Sequence, residues 1–166
     1  MRKSVTRTFL VLTMVALCGC GEDPMTSQRG QVPEKGNIAV IRQYVDELLN
    51  KGNLAVADEI IGPNFVDPAA QAGQKGPDSL KQVIASFRSI FPDLHVTISE
   101  MVAGNESVAW HWSAWGTHRG EIFGIPPTGK TVTFSGIIID TLQDGRIVRR
   151  RGIWDQAGLK AQLSGR

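Results

Sequence analysis

The chain has 166 residues, of which 42% are hydrophobic and 20% charged, which is typical of a globular protein with one domain and a short extra segment. Three of its 18 Lys and Arg residues lie within the first seven positions, so the rest of the chain carries 15 basic residues against 16 acidic ones. A basic surface for nucleic acid is therefore not predicted.

The N-terminus has the pattern of an export signal. Basic residues stand at positions 2, 3 and 7, and residues 9–17 form an apolar run that is too short for a membrane-spanning helix of roughly 20 residues. The following Leu17-Cys18-Gly19-Cys20 resembles a bacterial lipobox. We therefore expect a signal peptide over residues 1–19 and a lipid on Cys20, although a plain secretory cleavage site would also fit.

Lipidation of Cys20 implies a membrane-anchored protein that faces the extracytoplasmic side of the bacterial cell envelope. No second cysteine remains after residue 20, so no internal disulfide can form. Residues 20–36 are polar and rich in Gly and Pro, which is typical of a flexible tether. The folded domain is expected over residues 37–166.

The first part of this domain predicts three helices. Asn37 is a candidate N-cap for a helix that closes at Lys51-Gly52, and its apolar residues recur at helical spacing. A shorter helix is expected over residues 54–61, before Gly62-Pro63. A third is expected from Pro77 to about residue 90, where Pro92 stops it.

After residue 93 the apolar period changes to two, which predicts strands over residues 94–98, 108–117, 131–142 and 147–155. Asp144-Gly145 is a hairpin turn signal, and residues 158–163 are expected to form a short tail. Helices followed by strands indicate an α+β fold with an antiparallel sheet. Helices laid on one curved sheet form a cone with an apolar cavity between the layers.

Strand alternation predicts which side chains line that cavity. The inward residues of the second and third strands are expected to be Trp110, Trp112, Ala114, Gly116, His118, Val132, Phe134, Gly136, Ile138, Asp140 and Leu142. In the last strand, Ile147, Arg149, Arg151, Ile153 and Asp155 share a face. That face is either solvated or turned inward, in which case Asp140 and Asp155 would pair with the two arginines.

The segment from Gly116 to Lys130 combines four glycines and two adjacent prolines with His118, Arg119 and Glu121. This composition predicts a turn at the rim of a small-molecule pocket, with His118 at its mouth. The alternative is a long hairpin connection with an ordinary surface histidine. The histidines have no metal-ligand spacing, so no metal site is predicted.

The order of elements and the motifs Gly116–Lys130, Asp144–Val148 and Trp154–Leu159 resemble the SnoaL-like polyketide cyclases, or ester cyclases, of the nuclear-transport-factor-2-like superfamily. The resemblance implies a cofactor-free ring closure in which Asp155 is the acid/base. It places His118 in the same pocket and Asp67 after the second helix. His118 or Arg119 could donate to a developing enolate, whereas Asp67 could simply cap the Pro68 turn.

The chain departs from the family pattern at three positions, where it has Pro68, Ile138 and Arg151. The expected function is a cyclase or isomerase acting on a small apolar carbonyl compound. A non-catalytic lipoprotein that binds a small apolar ligand is the alternative, because the cone fold serves both purposes. A third possibility is a module that assembles as a homodimer through its sheet.

Overall fold

The computed structural model describes residues 34–67, 69 and 72–165. Its N-terminal part is helical, as predicted. It consists of α1 (Glu34–Gln43), a π-helical segment that continues it (Tyr44–Asn50), a 3-10 turn (Leu54–Val56), α2 (Ala57–Ile60) and α3 (Gly76–Ile90). The predicted signal peptide, Cys20 and most of the tether lie outside the described residues.

Asn37 is not the N-cap of the first helix. It lies inside α1, is 3% exposed, and its side-chain amide donates to the carbonyl of Asn105 at 3.2 Å. A side chain held by a tertiary partner is not available to cap its own backbone. Residues 34–36, predicted as tether, are therefore helical.

The second part forms one antiparallel sheet in the order β1 (His95–Gly104), β2 (Ser107–Thr117), β3 (Thr131–Gln143) and β4 (Arg146–Trp154). The α+β class is confirmed. Asp144 and Gly145 have φ angles of 50° and 74°, as a two-residue hairpin turn requires. The predicted tail is instead a helix, α4 (Gln156–Ser164).

The hydrophobic core lies between the helices and one face of the sheet. It includes Ile41 and Leu48 from the first helical stretch and Leu80 and Ile84 from α3. The sheet contributes the predicted inward face of β2 and β3, whose buried members are Trp110, Ala114, Gly116, His118, Val132, Phe134, Asp140 and Leu142. Alternation thus identified the core face of both strands.

The prediction for an inward face of β4 is wrong beyond its first residues. Leu142 pairs with Ile147 but Thr141 pairs with Arg149, so Val148 is an extra residue in β4. This β-bulge reverses the side-chain alternation that follows it. Arg150 consequently turns inward and is 8% exposed, whereas Arg149, Arg151, Ile153 and Asp155 are exposed. The solvated alternative is confirmed for these four.

The outer face of the sheet presents exposed apolar side chains, namely Trp115, Ile137, Ile139 and Ile153. The predicted homodimer would use this face and stays a prediction. Within residues 34–67, 69 and 72–165, the structure contains no helix that is both long and apolar enough to cross a membrane.

Candidate functional site

A cavity of about 550 Å³ lies between the helices and the concave face of the sheet. Its volume falls in the range of small-molecule sites. Most of its wall is aromatic or aliphatic: Leu49, Val83, Ile84, Phe87, Leu94, Val96, Trp110, Trp112, Ala114, Phe134, Ile138 and Trp154. The polar contributors are Tyr44, Asp67, Arg150 and Gln156. The cavity therefore suits a compound that is mostly apolar.

Aromatic rings pack against one another along the wall. Phe134 lies at the centre, 5.9 Å from Trp112 and 5.8 Å from Trp154 between ring centroids, and Trp154 also meets Phe87 edge-on at 6.1 Å. Gly136 makes this packing possible, because a Cβ there would lie 2.8 Å from Cζ2 of Trp112 and 2.7 Å from Cβ of Trp154. The rings present both faces and edges to the cavity, which suits an apolar ligand.

The polar end of the cavity is built from Tyr44, Asp67 and Arg150. Arg150 Nη1 donates to the Tyr44 hydroxyl oxygen at 2.7 Å, and the same nitrogen lies 3.8 Å from Asp67 Oδ2. Asp67 Oδ1 accepts a hydrogen bond from the Ala69 amide at 2.8 Å. These three side chains form the polar cluster. They bring a hydroxyl, a carboxylate and a guanidinium close together in an otherwise apolar wall.

Asp140 holds Arg150 in this position. Its Oδ1 accepts from Arg150 Nε at 2.8 Å, and its Oδ2 accepts from Arg150 Nη2 at 3.1 Å and from the Trp110 indole at 3.0 Å. Asp140 is fully buried and lies behind the wall. Such a two-point pair fixes the guanidinium plane. The guanidinium carbon also lies 4.4 Å from the centroid of the Tyr44 ring.

Burial and neighbouring charges set the protonation of Tyr44 and Arg150. Burial raises the pKa of the Tyr44 phenol, and the nearby Arg150 guanidinium opposes this shift only in part. Tyr44 therefore stays protonated and can donate its hydroxyl hydrogen. Burial by itself would lower the pKa of Arg150, but Asp140, Tyr44 and Asp67 together raise it above its ordinary value. Arg150 is therefore a permanent cation.

Five of the predicted ligand-binding residues line the cavity, namely Asp67, Trp110, Trp112, Phe134 and Ile138. Asp140 does not line the cavity but contacts Arg150, which does. Two others are placed differently. Arg151 points to solvent because of the bulge in β4. Arg119 is exposed, and its backbone amide donates to the carbonyl of Ile90 at the end of α3.

His118 does not lie at the mouth of the cavity. Its imidazole is fully buried, packs 5.9 Å from the Phe91 ring between centroids, and is not part of the cavity wall. Nδ1 accepts from the Thr128 amide at 3.2 Å, so the hydrogen of the neutral ring is on Nε2. Nε2 has no hydrogen-bond partner among the described residues. In this position His118 fastens the 119–130 turn to β2.

Asp155 is exposed and serves as the N-cap of α4, accepting from the Gly158 amide at 2.7 Å. Its neighbours Trp154 and Gln156 line the cavity, but Asp155 does not. The structure therefore does not bring Asp155 and His118 together in the cavity. Their catalytic roles stay predictions.

Tyr44 and Arg150 were not predicted from the sequence. Tyr44 is the only tyrosine in the chain, and it stands three residues after Ile41 on the apolar stripe of the first helix. That position was a usable signal, because a polar aromatic on a core face needs a partner. Arg150 had no such signal, since alternation left open which face of the last strand points inward.

Within the described part of the chain, no group of three or more His, Cys, Asp or Glu residues could hold a metal ion. The titratable side chains in the cavity wall are those of Tyr44, Asp67 and Arg150. Chemistry by these residues alone would be acid/base chemistry.

A family model described as SnoaL-like polyketide cyclase matches residues 39–163. Among solved structures, a proposed polyketide cyclase from Acidithiobacillus ferrooxidans has 25% identity and a TM-score of 0.70, covering 78% of this chain and 95% of that one. IdmH, a proposed polyketide cyclase from Streptomyces antibioticus, has 27% identity and a TM-score of 0.67, covering 77% of this chain and 98% of that one.

A proposed SnoaL-like polyketide cyclase from Jannaschia sp. CCS1 is similar in fold, with 23% identity, a TM-score of 0.72, and coverage of 84% of this chain and 99% of that one. A comparison with curated protein sequences finds no match.

Proposed function

Because the chain belongs to the SnoaL-like polyketide cyclase family, we propose that it binds a small, mostly apolar carbonyl compound in the cavity and catalyses proton transfer on it without a cofactor. One observation carries this proposal. Among the described residues, the polar side chains of the cavity wall are those of the polar cluster (Tyr44, Asp67 and Arg150) and of Gln156. The rest of the wall is apolar. The polar cluster would orient a carbonyl group.

The cluster contains the two parts that enolisation needs. Asp67 Oδ2 accepts no hydrogen bond from a described residue and can take a proton from the carbon next to the carbonyl. The Tyr44 hydroxyl can donate to the carbonyl oxygen as negative charge develops there, and Arg150 supports it at 2.7 Å. The base and the donor both lie within 4 Å of Arg150 Nη1.

The enolate has two outcomes that balance. Asp67 can return the proton to another carbon, which is an isomerisation. Alternatively, the enolate carbon attacks a second carbonyl of the same molecule, a carbon–carbon bond forms, and the new alkoxide takes the proton from Asp67. Neither outcome changes the oxidation state of the compound, so neither needs a cofactor.

Proton–deuterium exchange tests the assignment of the base. We would follow exchange at the alpha carbons of 2-tetralone by NMR, with a protein-free sample as background. Asp67→Asn is expected to slow the protein-dependent exchange by about 100-fold or more, and Tyr44→Phe by about tenfold or more. Exchange by Asp67→Asn at the wild-type rate would contradict the proposal.

Asp155→Asn is the matched comparison, because asparagine also caps helices and the change removes the same charge. We expect it to exchange at the wild-type rate. Loss of exchange in Asp155→Asn, with Asp67→Asn unaffected, would instead support the role that the family resemblance implies for Asp155. His118→Asn extends the comparison to the other residue of that pair.

A binding function without catalysis is the second candidate. The observation that favours it is that neither Asp155 nor His118 lines the cavity. Native mass spectrometry of the purified protein tests it. Retention of one unchanged compound, together with no exchange above background for a ketone of similar size, would support binding alone.

We also propose that the protein is anchored in the cell envelope through a lipid on Cys20. This proposal rests on the Leu17-Cys18-Gly19-Cys20 sequence after an apolar run. Metabolic labelling with an alkynyl fatty acid should mark the wild-type protein and not Cys20→Ser. Equal labelling of both would contradict the assignment.

A further inference from the structure

The polar cluster and Asp140 together carry an excess of negative charge. Asp140 engages Arg150 through both oxygens, at 2.8 and 3.1 Å, so the guanidinium is already neutralised from behind the wall. Asp67 adds a second carboxylate on the cavity side, 3.8 Å from Arg150 Nη1. Two carboxylates around one guanidinium leave one formal negative charge.

That charge lies on the side a ligand would approach. Asp67 lines the cavity and is 6% exposed, so it is almost withdrawn from water. Its Oδ1 is occupied by the Ala69 amide, whereas its Oδ2 accepts no hydrogen bond from a described residue. The 3.8 Å separation from Arg150 is too long for a hydrogen bond. Asp67 Oδ2 is therefore an open acceptor that a ligand can satisfy.

The positive charge of Arg150 is already matched by Asp140, so it does little to offset the charge of an anionic ligand. Nε and Nη2 are directed to Asp140, and Nη1 donates to the Tyr44 hydroxyl. No other arginine or lysine belongs to the cavity wall in the described part of the chain. A ligand carboxylate would therefore meet Asp67 in a poorly solvated site where like charges repel strongly.

We propose that the cavity selects neutral or cationic ligands and discriminates against carboxylates. A ligand hydroxyl or amine can donate to Asp67 Oδ2, whereas a ligand carbonyl can accept from the Tyr44 hydroxyl and leave Asp67 Oδ2 free, while the apolar body lies against Phe134, Trp112 and Trp154. This inference rests on the same cavity as the proposed function, and it narrows the substrate class by charge.

Three probes with the same naphthalene body test the inference: 2-naphthylmethylamine, 2-naphthalenemethanol and 2-naphthoate. Dissociation constants would be measured at neutral pH by calorimetry. The amine and the alcohol are each expected to bind about tenfold or more tightly than 2-naphthoate, because only they can donate to Asp67. Tightest binding by 2-naphthoate, or no binding by any probe, would overturn the inference.

The variant Asp67→Asn removes the negative charge of the site and keeps the shape of the side chain, so it tests the effect of charge on binding. We expect it to weaken binding of the amine by about tenfold and to strengthen binding of 2-naphthoate. Asp58→Asn is the control, since Asp58 carries the same charge but lies outside the cavity in a surface pair with Lys81. An unchanged order of affinities in Asp67→Asn contradicts the inference. The three probes on the wild-type protein remain decisive even where this variant fails to fold.

The result of the binding experiment can be distinguished from the result of the exchange experiment that tests the proposed function. Preference for the amine and alcohol without any exchange of 2-tetralone protons would leave the charge selection intact and refute the enzymatic proposal. Exchange that depends on Asp67, together with tightest binding of 2-naphthoate, would refute the charge selection alone.

Discussion

The phenyl ring of Phe123 stacks on the indole of Trp154, with centroids 6.2 Å apart and planes inclined by 26°. Phe123 lies in the turn that His118 fastens to β2, and Trp154 lines the cavity. Phe123 has a φ of 55°, a left-handed conformation that is costly for a bulky residue. The turn thus contacts a residue of the cavity wall, and we expect the stack to offset the cost of the strained backbone.

Two substitutions at Phe123 should separate the energetic cost of its left-handed backbone from the stabilisation by its ring stack. Phe123→Ala keeps the left-handed backbone and loses the ring, so it is expected to lower the free energy of unfolding by about 1 kcal/mol. Phe123→Gly also loses the ring but relieves about 1 kcal/mol of strain. Chemical denaturation should place Phe123→Gly close to the wild type. An alanine variant as stable as the wild type would show that the stack on Trp154 does not stabilise the protein.

The bulge in β4 predicts a large difference between two adjacent arginines. Arg150→Met leaves Asp140 and Asp67 without their cation and should lower the free energy of unfolding by about 3 to 5 kcal/mol. Arg151→Met changes a solvent-exposed side chain and should alter it by less than about 0.5 kcal/mol. Urea denaturation of both variants measures this. Similar losses at the two positions would mean that the alternation assigned to β4 is incorrect.

Gly136 should be intolerant of any side chain. A Cβ there would lie 2.5 Å from the carbonyl oxygen of Ile153 and 2.8 Å from Trp112. Gly136→Ala is therefore expected to destabilise the protein by about 2 kcal/mol and to weaken binding of the naphthalene probes. Gly104→Ala is the control, because a Cβ at Gly104 meets nothing within 4 Å. Thermal denaturation of both should show a loss at Gly136 only.

Asp93 provides a pH-dependent contribution. Its carboxylate accepts from the Thr117 amide and hydroxyl, both at 2.7 Å, and these bonds hold the pKa of Asp93 below its ordinary value of 3.8. A lowered pKa means that the stabilisation is complete above pH 3.8 and is lost as the pH falls through the folded-state value.

Asp93→Asn should therefore reduce stability at neutral pH by less than about 1 kcal/mol, since the site is exposed. The difference from the wild type should shrink toward zero in acid. Urea denaturation over a pH series tests this. A difference that grows as the pH falls would reverse the assigned sign.

The sequence by itself determined the fold class and the faces of the two central strands. β2 and β3 pair without a register shift, so side chains alternate regularly along both strands, and Trp110, Phe134 and Asp140 could be assigned to one side from their spacing alone. The family resemblance drew attention to Asp67, and this residue lines the cavity. Periodicity is a local property, and local regularity is visible in a sequence.

Only the tertiary structure decided which charged groups meet. Val148 forms a bulge in β4. Because of this one extra residue, Arg150 rather than Arg151 lies at the polar end of the cavity. Asp155 became a helix cap because the tail after it folds as α4, and His118 was enclosed because the turn packs over it. Each outcome depends on contacts between residues distant in sequence. The free energy of those contacts outweighs the local preference that a reading of spacing can detect.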